Sequence, residues 1–106
     1  ENDNQLIVRI QAYIDEKYGD PSLCLSRISD LFHISESYFS FLFKKTVGVN
    51  FSTYLEQVRM TQAKHLLETT NIKIADLYVA VGYNNLTSFR RAFKKKYGVA
   101  PNALRE

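Results

Sequence analysis

The 106-residue chain is 45% hydrophobic and 24% charged with a net charge of +3, the composition of one ordinary globular domain, which excludes global disorder. It holds no apolar run near the ~18 residues that cross a bilayer, and its start at Glu1-Asn2-Asp3-Asn4 has no secretory pattern. The single cysteine, Cys24, excludes an internal disulfide and a Cys-pair zinc site, so the reading is a cytoplasmic protein without membrane association, and a first residue other than Met reads as a fragment of something longer.

Apolar residues recur at helical rather than alternating spacing along nearly the whole length, and Pro21 and Pro101 fall at expected boundaries, which predicts an all-α fold. The first helix runs from Leu6 to Lys17 on the spacing of Leu6, Ile7, Ile10 and Ile14, and Gly19-Asp20-Pro21 stops it. Cys24 lies at the start of a short second helix, Leu25 to Phe32. A thiolate would be favoured there, as a redox or alkyl-accepting role would need, but a small semi-buried structural residue is the expectation. The third helix opens at Ser35, whose hydroxyl caps the free amides of the first turn, and closes at Gly48.

The longest helix runs from Asn50 to Thr70, with Asn50 as its cap and Phe51, Tyr54, Leu55, Val58, Ala63, Leu66 and Leu67 as its apolar stripe. At ~1.5 Å per residue it is roughly 30 Å long. A fifth helix spans Ile74 to Val81, Gly82 makes a turn, and a sixth runs from Asn85 to Tyr97 and closes at Gly98. Pro101 opens a final turn ending near Arg105.

Comparison of the chain with itself exposes a duplication. Phe39, Phe43, Lys44, Lys45, Gly48 and Val49 recur 50 residues later as Phe89, Phe93, Lys94, Lys95, Gly98 and Val99, and Ser35 recurs as Asn85. Upstream the offset is 49, pairing Leu25 and Ile28 with Ile74 and Leu77, so the second turn holds one extra residue. Each copy is a short helix, a tight turn and a longer capped helix, which is a helix-turn-helix arrangement. Gly82 occupies the turn position that commonly needs a positive φ; the first copy has His33 there, predicting a slightly strained turn.

At 100° per residue, with Phe39 facing inward, Ser37, Ser40, Phe41 and Lys44 point outward, and Thr87, Arg90, Arg91 and Lys94 form the matching stripe of the second copy. Hydroxyl, guanidinium and ammonium donors on exposed helix faces suit base edges and phosphates in a DNA major groove, Arg to guanine above all. The charge distribution agrees: residues 1–53 carry five basic and seven acidic residues, net −2, whereas residues 54–106 carry nine and four, net +5. Phe41 is the apolar exception on its stripe. Either a thymine methyl group or a neighbouring helix would cover it. The long helix then acts as a ruler, since its length approaches the ~34 Å between successive major-groove openings on one face of B-DNA.

The chain resembles the AraC/XylS family of transcription regulators over essentially its whole length. The resemblance is carried by Ser35-Glu36-Ser37-Tyr38-Phe39-Ser40-Phe41-Leu42-Phe43-Lys44-Lys45 with Gly48, by Tyr54-Leu55 with Arg59 and Ala63, and by Val81-Gly82-Tyr83 with Phe89-Arg90-Arg91-Ala92-Phe93-Lys94-Lys95, Gly98 and Pro101. It implies about seven helices in one domain, with a first helix-turn-helix subdomain at 1–49, a linking helix at 50–70 and a second subdomain at 71–106. It further implies sequence-specific binding of double-stranded DNA, usually in activation, as the output domain of a bacterial regulator whose effector-sensing, dimerising or phosphorylation-dependent domain is absent from this chain. The expected DNA-binding residues are Ser35, Ser37, Ser40, Phe41 and Lys44 in the first unit and Asn85, Leu86, Thr87, Arg90, Arg91 and Lys94 in the second. RNA polymerase is the expected protein partner, and the isolated domain is expected to be monomeric. Three positions depart from the family pattern: His33 for Gly, Phe41 for a polar or basic residue, and Tyr78 where a small residue such as Ala is usual (the first copy has Ser29). Tyr78 is expected to splay the second unit's helices or rotate its ring outward.

An enzyme reading finds little support. His33 and His65 have no ligand partners at metal spacing, there is no Gly-rich phosphate loop and the acids are scattered, so no catalytic, metal or cofactor site is expected, and His65 reads as a helix-surface residue. The remaining alternative is a helical protein-interaction module that meets transcription machinery through Phe41 and Tyr78; it would have no need of the Arg90, Arg91 and Lys94 cluster.

Overall fold

The computed structural model describes residues 1–105. Among these, seven helices follow in order: α1 (Asp3–Lys17), α2 (Leu25–Leu31), α3 (Glu36–Val47), α4 (Phe51–Thr69), α5 (Ile74–Ala80), α6 (Leu86–Tyr97) and α7 (Pro101–Arg105). The boundaries follow local chemistry. The side chains of Ser35, Asn50 and Asn85 accept hydrogen bonds from the amides of Tyr38, Thr53 and Ser88, which starts α3, α4 and α6 as expected. Helix α1 begins three residues before the expected Leu6, because Asn2 and Gln5 form a reciprocal capping box.

Two hydrophobic clusters divide the molecule, and α4 belongs to both. Its first half gives Phe51 and Leu55 to a core built from Ile7, Ile10, Ile14, Leu23, Ile28, Phe39, Leu42 and Phe43. Its second half gives Met60, Ala63 and Leu67 to a core with Leu77, Val81, Phe89, Ala92 and Phe93. The duplicated rings anchor each cluster: Phe39 and Phe43 stand edge to face at 5.7 Å, and Phe89 and Phe93 lie tilted at 5.9 Å. Burying one such ring stabilises the fold by about 1.5–3 kcal/mol. Met60, which the apolar stripe of α4 did not predict, is fully buried in the second core.

The two turns close identically. In the first, the amides of His33 and Ile34 donate to the carbonyls of Asp30 and Ser29; in the second, those of Gly82 and Tyr83 donate to Val79 and Tyr78. This pair of bonds is a Schellman closure, which needs a left-handed residue after the helix cap. His33 adopts it at φ 58° and Gly82 at φ 98°, so the expected strain does fall on His33. The Tyr78 ring lies half-buried against the second core while its carbonyl keeps the turn bond.

Candidate nucleic-acid interface

Helices α3 and α6 are each second in a helix-turn-helix pair, with α2 packed on α3 and α5 on α6. Each turns one face into its core, Phe39, Leu42 and Phe43 in α3 and Phe89, Ala92 and Phe93 in α6. The period of 3.6 residues then sets the opposite face outward. Ser37, Ser40, Phe41 and Lys44 are exposed on α3, and Thr87, Arg90, Arg91 and Lys94 are exposed on α6. The end caps Ser35 and Asn85 are exposed too, although each side-chain oxygen is already engaged with an amide of the first turn. Leu86 differs from the rest of its group: it is half-buried and packs against the second core, so it offers only part of its side chain to a ligand.

Phe41 is 63% exposed, and no neighbouring helix covers it. The Lys45 ammonium sits over its ring, 5.7 Å from the centroid, which brings a cation to the ring face. Beside it opens a shallow cleft of about 680 Å³ lined by Leu25, Glu36, Ser37, Ser40, Phe41, Lys44 and Lys45. An apolar ring, two hydroxyls, two ammonium groups and the Glu36 carboxylate thus share one surface.

The exposed face of α6 is electrostatically simpler. Helix α6 contains Arg90, Arg91, Lys94, Lys95 and Lys96 and no acidic residue. The ion pairs among the described residues lie elsewhere, joining Arg9 to Glu1, Lys17 to Glu16 and Arg27 to Asp20. The guanidinium groups of Arg90 and Arg91 therefore keep their donors for a ligand.

Residues outside the expected set hold these faces in place. The Tyr38 hydroxyl of α3 donates to the Asp3 carboxylate of α1 at 2.6 Å, and that bond raises the Tyr38 pKa above its ordinary value. Arg59 of α4 donates from Nε to the Tyr18 carbonyl at 2.9 Å and from Nη2 to the Asp20 carbonyl at 3.0 Å. Burial lowers its pKa, and its guanidinium carbon sits over the Tyr83 ring, 5.7 Å from the centroid. Arg59 entered the sequence reading only as a family marker, and its partners are backbone carbonyls that no residue pattern records.

Cys24 is exposed rather than semi-buried, because it is the N-terminal boundary residue of α2 and its side chain points along the surface to the Ser26 hydroxyl, 3.3 Å away. That hydrogen bond lowers its thiol pKa, with the Arg27 amide contributing. His65 is exposed on α4. Among the described residues no group of three His, Cys, Asp or Glu side chains is placed to hold a metal ion, and no helix is long and apolar enough to cross a membrane.

Comparison with known proteins adds an independent line. A family model described as "Helix-turn-helix domain" matches residues 28–106. The chain is 31% identical over 98 residues to the Msm operon regulatory protein of Streptococcus mutans, a match covering 92% of this chain and 35% of that protein. Its fold superposes on the C-terminal domain of the two-component response regulator yesN from Fusobacterium nucleatum with a TM-score of 0.88 at 40% identity, covering 92% of this chain and 94% of that one. The C-terminal domain of AraT, a response regulator from Geobacillus stearothermophilus, superposes with a TM-score of 0.92 at 32% identity, covering 94% and 83%. The chain spans between 35% and 49% of the length of the first curated relatives it matches.

Proposed function

The chain belongs to the AraC/XylS family of helix-turn-helix transcription regulators, and from that premise we propose that it is a bipartite reader of double-stranded DNA. Helices α3 and α6 each enter a major-groove segment, and α4 spaces them. The observation that carries this reading is the pair of exposed faces at equivalent positions of two duplicated units: Ser37, Ser40, Phe41 and Lys44 on one, and Thr87, Arg90, Arg91 and Lys94 on the other. The 19 residues of α4 span ~28 Å at ~1.5 Å per residue, close to the ~34 Å helical repeat of B-DNA.

Each group has a role set by its chemistry. Arg90 and Arg91 read guanine through paired donors, Thr87, Ser37 and Ser40 meet base edges or phosphates, and Lys44 and Lys94 neutralise phosphates. Phe41 packs on a thymine methyl group. Ser35 and Asn85 sit at helix starts, where backbone amides favour a phosphate. Leu86 contributes apolar contact from its exposed edge. The units at 1–49 and 71–106 work as the two reading modules around the linker at 50–70. The chain serves as the non-enzymatic output domain of a longer cytoplasmic regulator, monomeric by itself, that activates transcription through RNA polymerase.

A mobility-shift titration on pooled genomic duplexes, repeated across salt concentrations, tests the reading. DNA binding predicts log K falling linearly with log salt, at about −0.9 per phosphate neutralised. A flat response would favour a helical module that docks on protein through Phe41 and Tyr78.

A further inference from the structure

The two units meet at one compact junction beside α4. The loop between α1 and α2 touches the turn between α5 and α6 so closely that neither tolerates an added methyl group. A Cβ on Gly19 would lie 2.9 Å from the Ala80 carbonyl oxygen, and one on Gly82 would lie 2.5 Å from the Tyr18 carbonyl oxygen and 2.8 Å from Arg59 Nε. Tyr18 packs against both hydrophobic clusters. Arg59 supplies the polar half of the contact: two carbonyls of the first unit's loop accept its guanidinium donors, while its plane faces Tyr83, the residue that follows the second unit's turn glycine. The loop itself is braced, since Arg27 holds the Asp20 carboxylate at 2.7 Å and also donates to the Ser22 hydroxyl.

A helix shared by two cores fixes their distance but leaves them free to twist and bend about it. A planar guanidinium with donors in a rigid fork restrains both motions, because its hydrogen bonds hold only at one mutual orientation. We infer that Arg59, seated in the Gly19 and Gly82 contact, is the positioning residue that locks the angle between α3 and α6, and so sets which spacing of two DNA segments the chain accepts. The inference rests on the bipartite reading. When two binding elements are joined, the second engages at an effective concentration set by how stiffly the joint presents it, so loosening the joint costs affinity at the matched spacing and relaxes rejection of the others.

Two variants perturb the junction by different means. Arg59→Ala removes the donors, and Gly19→Ala inserts a methyl group against the Ala80 carbonyl without touching either core. On duplexes carrying both segments with the spacer changed by −1, 0, +1 or +2 base pairs, the wild type should prefer one spacing by about tenfold or more, and each variant should reduce that preference several-fold while a single segment binds as before. Residual dipolar couplings on the DNA-free protein give a second readout. One alignment tensor should fit both units of the wild type, and two should be needed for the variants, with each unit still fitting its own internal structure.

Variants that keep both the spacing preference and the single tensor overturn the inference. A wild type that shows no two-segment preference refutes the bipartite reading instead, and the couplings still decide whether Arg59 holds the angle. Should Arg59→Ala fail to fold, Arg59→Lys, which keeps the charge and the aliphatic stem but loses the rigid two-donor fork, carries the same test.

Discussion

Arg90 and Arg91 stand exposed on a helix without acidic residues, so replacing either disturbs no packed core. Arg90→Ala and Arg91→Ala should each weaken specific binding by about 1–3 kcal/mol and relax preference at one or two base positions, as measured by competition against singly substituted operators. Lys94→Ala should weaken all sequences alike and shallow the salt slope by about one phosphate. His33 yields a prediction about stability. A left-handed residue other than glycine costs roughly 1–2 kcal/mol, and the greater unfolded-state freedom of glycine offsets part of any gain, about 0.5–1 kcal/mol. With its ring exposed, His33→Gly should therefore raise thermal stability by on the order of 0.5–1 kcal/mol. The strain at His33 was legible because the duplicated turn carries glycine at the equivalent position. Arg59 was not, since its function lies in reaching the backbone of residues about 40 positions away, Tyr18 and Asp20.

The elements themselves were legible where capping residue and hydrophobic period agree. Ser35, Asn50 and Asn85 each stand one residue before a helix and each caps in the structure. Asn85→Ala, which leaves the Ser88 amide without its acceptor, should destabilise α6 by ~1 kcal/mol, measured as faster amide exchange in its first turn and a matching loss of global stability. Where the two signals separate, the reading falters. The Asn2 and Gln5 box starts α1 before its apolar residues begin, so periodicity placed the start at Leu6. Met60 was missed because α4 changes its buried face between the cores: Met60 stands with Ala63 and Leu67 at i, i+3, i+7 spacing, on the side opposite the stripe of Phe51, Leu55 and Val58 from which the reading began.

At the scale of the whole molecule, two clusters strung on one helix give a body of 47 × 22 × 22 Å, long enough along one axis to lie across two groove openings ~34 Å apart. The duplication made this division visible in advance, because the offset of 50 maps the ring pair Phe39 and Phe43 of the first core onto Phe89 and Phe93 of the second. The mutual orientation of the units was hidden, because it depends on loop backbone meeting turn backbone at Gly19 and Gly82. Hydroxyl-radical footprinting of the chain on an operator selected from random duplexes tests the central claim most directly. Two protected segments on one face of the duplex, about one helical turn apart, are the predicted result. Protection of a single segment, with Arg90→Ala and Arg91→Ala leaving the footprint unaltered, would contradict it.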